Sequence, residues 1–153
     1  MKNLLVKFLI TIIIIGNFSA CNKKNEPEPP QVTNEQHLTN NNWTLHTVET
    51  SPVIEGIDPM DFLEDCYVDN IYSFLSGGVL SVDEGPLKCQ QIDPQVATGE
   101  WKLTQNQQQL ELKYASYDLV FKILEISDEQ MKVQTTLNIL GLATISNLTF
   151  LAN

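Results

Sequence analysis

The chain has 153 residues, contains 19 acidic and 9 basic residues, and carries a formal net charge of −10. This length suits a single domain. A phosphate backbone would be repelled by so acidic a surface, so we expect no nucleic-acid partner. The apolar fraction of 42% is that of a folded domain and is too high for a disordered chain.

The first 20 residues have the pattern of an export signal. Lys2 and Lys7 give a positive start, an apolar run follows over 9–15, and the small residues Ser19 and Ala20 precede the predicted cut. The alternative is a transmembrane helix, but the run is shorter than the ~20 residues that span a bilayer. We therefore predict a cleaved signal peptide over residues 1–20.

The stretch Phe18-Ser19-Ala20-Cys21 resembles the lipobox of bacterial lipoproteins. The resemblance implies a diacylglycerol on the Cys21 sulfur, further acylation with a chain such as palmitate, and a place at the outer membrane. Its membrane face, periplasmic or surface, stays open. Plain secretion with a free Cys21 thiol is the alternative. Residues 21–36 contain three prolines and many polar residues, which predicts an extended tether.

Cys66 and Cys89 are the two remaining cysteines. Export places them in an oxidising compartment, where cysteine pairs tend to form disulfides. A hairpin around Gly77 and Gly78 would bring them together, so we predict a structural disulfide. A catalytic thiol and a metal site are the alternatives.

The domain over residues 37–153 has apolar side chains at every second position, which is typical of β-strands. Eight strands are predicted at 42–49, 67–75, 78–83, 98–104, 108–115, 118–126, 130–137 and 144–151. Short polar turns between them predict an antiparallel meander, and closure into a barrel would cover its apolar face. The period slips near Asn147, which indicates a β-bulge. The predicted fold is an all-β, eight-stranded, up-and-down antiparallel barrel.

A short helix is expected over residues 59–64, above one end of the barrel. Asp58 is a typical N-cap, and Pro59 suits the first helical position. Met60, Phe62 and Leu63 would then act as a lid.

Several short motifs resemble the lipocalin-like, calycin-type lipoproteins of bacterial envelopes. They are Trp43 at the start of the first strand, Cys66 followed by the segment 69–74, Gly77-Gly78, Cys89 and the segment 99–103. The resemblance implies a small barrel, an N-terminal lipid and the binding of small apolar molecules.

Seven large side chains are expected to point into the barrel. They are Trp43, Tyr72, Phe74, Trp101, Leu112, Phe121 and Met131. Their simplest role is core packing, and the sharper hypothesis is that some line a ligand cavity. The apolar segment 137–142 would be a contact patch if exposed and a plug if buried.

No pattern indicates catalysis, a metal or a cofactor. His37 and His46 have no partner spaced for zinc. The acidic run over 58–69 lacks the spacing of a calcium loop, which favours helix capping and a solvated face. We therefore expect a protein that is not an enzyme. The first hypothesis is a lipid-anchored barrel that binds a small hydrophobic ligand, and the alternative is a packed barrel that serves as a structural or protein-interaction module with an unidentified partner.

Overall fold

The structure is a computed structural model that describes residues 32–139 and 141–153. The predicted signal peptide, the lipidated Cys21 and the tether up to residue 31 lie outside the described residues, as does Leu140.

Eight strands and three short helices make up the described chain. In chain order they are α1 (Asn34–Asn40), β1 (Asn42–Ser51), a 3₁₀ helix (Pro59–Phe62), α2 (Asp65–Val68), β2 (Ile71–Leu75), β3 (Val79–Asp83), β4 (Val96–Thr104), β5 (Gln109–Tyr114), β6 (Tyr117–Ile126), β7 (Gln130–Ile139) and β8 (Leu142–Ala152). Each strand pairs with the next, and β8 pairs with β1, so the sheet closes. The predicted antiparallel barrel is confirmed.

The two ends of the barrel differ. We call the lower end the one that carries α1 and the turns after β2, β4 and β6. The upper end carries the connections 52–70, 84–95 and 115–116 and the turn between β7 and β8. The lower end is therefore built from tight turns and one helix, and the upper end from the two longest connections.

Helix α1 closes the lower end. The Thr33 side chain accepts a hydrogen bond from the backbone of Gln36, and the Gln36 side chain accepts one from the backbone of Thr33, which forms a capping box. The side chain of Leu38 is fully buried in the core, and the Trp43 indole Nε1 donates to the Leu38 carbonyl at 3.1 Å. The helix was not expected, because its first three residues were assigned to the tether.

Two polar contacts attach α1 to the turns beneath the barrel. Asn34 Nδ2 donates to the Gln107 carbonyl at 2.8 Å, in the turn between β4 and β5. His37 Nδ1 lies 2.6 Å from Asp128 Oδ1, in the turn between β6 and β7. His37, which was expected at the start of the barrel domain, thus holds the helix in place.

A disulfide joins the two long connections of the upper end. Cys66 lies in α2 and Cys89 in the β3–β4 connection, and their Cα atoms are 5.2 Å apart. The predicted pairing is confirmed. With 23 residues separating the cysteines, the chain-entropy model gives a stabilisation of about 3 kcal/mol.

The single helix expected over 59–64 is in fact a 3₁₀ helix followed by α2. Asp58 Oδ1 accepts from the Met60 amide at 2.9 Å, so the predicted cap is present. Because 65–68 are helical, β2 begins at Ile71 rather than at residue 67.

The bulge expected near Asn147 is wrong. β8 pairs with β7 without a break, and the ladder between β1 and β8 shifts register in β1, between Leu45 and Thr47. This shift turns Val48 into the interior in place of Thr47. In β8 the inward positions near the upper end are Thr144 and Ser146, so the apolar period is interrupted although the backbone is regular.

Candidate functional site

The barrel encloses an apolar cavity of about 180 Å³. All of its lining residues are uncharged: leucine, valine, methionine, phenylalanine, tyrosine and threonine. Five of the seven residues predicted to point inward border it, namely Tyr72, Phe74, Leu112, Phe121 and Met131.

The two tryptophans do not border the cavity. Trp43 is fully buried against α1, and Trp101 packs edge-to-face against Phe74 with ring centroids 5.6 Å apart. Trp101 Nε1 donates to the carbonyl of Leu75 at 2.9 Å, near the lower end. Both indoles therefore fill the lower part of the barrel and have their N–H groups satisfied, as buried tryptophans usually do.

The remaining lining residues come mainly from β1, β7 and β8, and none of them was among the seven predicted to point inward. They include Leu45, Val133, Leu137, Leu148 and Phe150. Phe150 packs edge-to-face against Tyr72, with ring centroids 5.8 Å apart. The signal was available, because all of these residues, Leu45 included, occupy inward-facing alternate positions of the predicted strands.

A break in the sheet lies beside the cavity. The ladder between β6 and β7 ends at Lys122 and Gln134, although both strands continue toward the upper end. Beyond it, the Thr135 hydroxyl donates to the Val120 carbonyl at 3.0 Å. Thr136 is exposed and also borders the cavity, so the cavity reaches the surface at this break.

The three proposed lid residues lie near the upper end, but none borders the cavity. Met60 and Leu63 are partly buried and pack against the core, whereas Phe62 is 48% exposed. Their role as a lid stays a prediction.

The apolar segment 137–142 is divided. Ile139 is buried, whereas Leu142 is 64% exposed. The segment is therefore neither a uniform plug nor a uniform contact patch in the part that the structure describes.

Two tyrosines at the upper end of the barrel have raised pKa values. Burial raises the pKa of Tyr72, and a hydrogen bond with the Asn70 side chain opposes that rise. Burial also raises the pKa of Tyr114, and the negative charge of Glu84 adds to it. The upper interior is thus more polar than the cavity itself.

Neither histidine stands in a catalytic or metal-binding arrangement within the described residues. His37 contacts Asp128, and His46 is exposed on β1. Glu64, Cys66 and Cys89 bring potential metal ligands within 4.8 Å of one another. The two sulfurs are joined in the disulfide, so they are not available as thiolates.

A second depression, of about 260 Å³, lies over β4, β5 and β6 and is lined mostly by outward-facing residues. Lys102 Nζ lies 2.8 Å from Glu111 Oε2, and hydrogen bonds from Lys102 and Thr104 lower the pKa of Glu111. Lys102 and Glu111 pair across β4 and β5, as charged residues do on a solvated sheet surface.

A closed, eight-stranded, up-and-down antiparallel barrel with an apolar interior is a lipocalin-like fold. The lipocalin-like architecture predicted from the sequence is therefore confirmed. Among solved structures the chain is similar to a lipocalin-like protein from Bacteroides uniformis ATCC 8492. That similarity has 13% sequence identity and a TM-score of 0.45, and covers 75% of this chain and 97% of that chain.

A comparison with protein-family models found no match, and a comparison with curated proteins found no significant match. Within residues 32–139 and 141–153, no helix has the length and apolar character required to cross a membrane.

Proposed function

We propose that the protein is a lipid-anchored lipoprotein of the cell envelope whose barrel binds a compact apolar molecule. The observation that carries the proposal is the uncharged cavity of about 180 Å³ inside the barrel. Removing apolar surface from water drives such binding, and aromatic side chains supply much of the contact area.

The size of the cavity limits the ligand. Pockets for drug-sized ligands are typically ~300–1,000 Å³. An engineered apolar cavity of about 150 Å³ is enough to bind benzene. A cavity of about 180 Å³ therefore suits one aromatic ring with a short substituent, or an aliphatic molecule of similar volume.

The break between β6 and β7 supports access to this cavity. Leu119 and Thr136 border the cavity from opposite sides of the break. Among the described residues, the hydrogen bond from the Thr135 hydroxyl to the Val120 carbonyl spans it. A ligand can therefore enter through the wall without unfolding the upper end.

A cavity-filling substitution tests the binding function. Val133 is 1% exposed and borders the cavity, so Val133→Phe places a ring where the ligand would lie. We expect wild-type protein to bind ethylbenzene in a calorimetric titration and the variant to bind about tenfold more weakly or not at all, a loss of about 1.4 kcal/mol or more. Thermal unfolding checks that the variant remains folded.

The matched control makes the same change on the outer face. Val79→Phe alters an outward-facing residue of β3 that is 41% exposed and lies away from the break, and it should leave ethylbenzene affinity unchanged. Failure of the wild-type protein to bind ethylbenzene, or equal binding by a folded Val133→Phe variant, would refute the proposed ligand site.

The lipid anchor and the envelope location of the protein are a separate part of the proposal. It is supported by the signal-like first 20 residues and the lipobox-like sequence before Cys21. Radiolabelled palmitate should be incorporated into the wild-type chain in bacteria, with the label recovered in the outer-membrane fraction. Cys21→Ser should abolish the label, because it removes the acylated sulfur, and equal labelling of both chains would contradict the lipid anchor.

The packed lower half of the barrel favours the alternative function, a structural or interaction module. Leu38, Trp43 and Trp101 fill this half, so no ligand is needed to complete its core. A structural or interaction role is supported instead if ethylbenzene does not bind and Val133→Phe raises the melting temperature.

A further inference from the structure

Three buried oxygen atoms at the upper end have no hydrogen-bond partner among the described residues. They are Asp69 Oδ1, Asn70 Oδ1 and Glu84 Oε2. Asn70 is only 5% exposed. An unsatisfied buried polar group is destabilising, so such atoms are rare in folded proteins and call for an explanation.

Two of these residues lie just beyond the inward-facing positions of β2 and β3. Asn70 and Glu84 each lie one residue beyond the terminal β2–β3 pair, Ile71 and Asp83. They have the same strand parity as the inward-facing Tyr72 and Val82. Side chains at i and i+2 of a strand share a face, so Asn70 and Glu84 continue the inward-facing rows of β2 and β3 one position past the strand ends.

Tyr72 connects this polar group to the cavity. Its side chain borders the cavity, and Asn70 stands two residues before it in the chain, one residue beyond the end of the β2–β3 ladder. Glu84 is close enough to Tyr114 on β5 to affect it electrostatically. A molecule whose apolar part lies in the cavity would therefore contact Tyr72 first. The oxygen atoms without hydrogen-bond partners, which we call the orphan oxygens, lie beyond it.

The chemistry of the orphan oxygens favours a ligand that donates hydrogen bonds. All three are acceptors, and two belong to carboxylates. No lysine borders the cavity, and the chain has no arginine to hold a carboxylate there. Asp69 is partly satisfied, because its Oδ2 accepts from the Leu87 amide at 2.8 Å, which leaves Asn70 and Glu84 as the main acceptors.

We propose that the barrel is selective for compact apolar primary amines, with the apolar body in the cavity and the ammonium group donating to Asn70 Oδ1 and Glu84 Oε2. This inference rests on the proposed ligand-binding function and specifies its ligand class. An ammonium group supplies three hydrogen-bond donors and a positive charge. A carboxylate ligand would add further acceptors, and the carboxylate of Glu84 would repel its negative charge.

The test compares three ligands of similar shape: ethylbenzene, 2-phenylethylamine and 3-phenylpropionate. The full chain, with Cys21→Ser to prevent acylation, is titrated with each by calorimetry at neutral pH. We expect the amine to bind at least about tenfold more tightly than the carboxylate. An equal or tighter affinity for the carboxylate would overturn the inference.

Two near-isosteric variants locate the effect. Glu84→Gln removes the charge and should reduce amine affinity about tenfold without changing that of ethylbenzene, whereas Asn70→Asp adds a charge and should strengthen amine binding. The control is Glu49→Gln, on the exposed outer face of β1, which should change neither affinity. Unchanged amine affinity in both folded interior variants would also overturn the inference.

The outcomes separate this inference from the function on which it rests. If ethylbenzene binds and the amine shows no preference, only the amine selectivity fails. If neither ethylbenzene nor the amine binds, the proposed ligand-binding function fails with it.

Discussion

Gly99 shows how one residue sets the spacing between two strands. A Cβ atom added there would lie 2.2 Å from the Lys113 carbonyl oxygen on β5, far inside contact distance. Gly99→Ala should therefore push β4 from β5 and lower the free energy of unfolding by about 2 kcal/mol, as overpacking typically does. Urea unfolding measures this change. Thr98→Ala, one residue earlier and exposed, is the control and should cost far less.

Tyr72 should give the barrel a dependence on alkaline pH. Burial raises its pKa above the ordinary value of 10.0, so the folded state keeps the proton longer than the unfolded state. This contribution to stability is complete below pH 10 and is lost as the pH rises through the raised pKa. Tyr72→Phe removes the titrating group, so unfolding midpoints in urea should fall less between about pH 9 and about pH 11 than in the wild type.

Tyr117→Phe is the control for that measurement, because Tyr117 is 55% exposed. It should retain the wild-type decline with pH. Some decline should remain in Tyr72→Phe as well, since burial also raises the pKa of Tyr114. If Tyr72→Phe loses stability with pH as steeply as the wild type, the hydroxyl of Tyr72 is not buried in the folded state.

At the scale of single residues, the sequence predicts the role of a side chain when that role follows from the chemistry of the side chain itself. Cys66 and Cys89 were expected to pair because two thiols in an oxidising compartment tend to bond. Asp58 was expected to cap a helix because Pro59 follows it. The orphan oxygens of Asn70 and Glu84 could not be predicted, because a missing partner depends on what the rest of the fold brings near.

Helix α1 is the element that seals the barrel, and Leu38 is the side chain it inserts. Leu38→Ala should leave a void beneath Trp43 and lower the free energy of unfolding by about 3 kcal/mol, within the range for buried leucines. Urea unfolding followed by tryptophan fluorescence reports both the stability and the environment of Trp43.

The comparison for Leu38→Ala is Thr33→Ala, which removes only the N-cap of the same helix. Loss of a cap typically costs about 1 kcal/mol. If Leu38→Ala costs no more than Thr33→Ala, α1 does not contribute to the core.

The strands were predictable because their alternation of apolar and polar side chains is strong. Helix α1 was missed although Thr33 and Gln36 carry the spacing of a capping box, because only Leu38 gives it an apolar face. The bulge was assigned to the wrong strand for a related reason. Thr144 and Ser146 are polar side chains in inward positions, and the residue pattern cannot distinguish them from a shift in the backbone.

For the whole molecule, barrel closure follows from eight strands that each have one apolar face. The presence of a cavity inside the barrel does not follow from that pattern. A void is the space left after all the side chains have packed. In this barrel Trp43 and Trp101 leave the interior above them unfilled, since both side chains are in the lower half. The sequence predicted five of the cavity-lining residues but could not decide between a filled and an open interior.

The central claim is that the barrel holds an apolar cavity that a small molecule can reach. Diffraction from crystals pressurised with xenon tests it most directly, because xenon enters dry apolar cavities and scatters strongly. We expect a xenon atom inside the barrel, in contact with Phe74, Leu112 and Phe121. A barrel whose interior contains no xenon, or whose side chains fill that space, would contradict the claim.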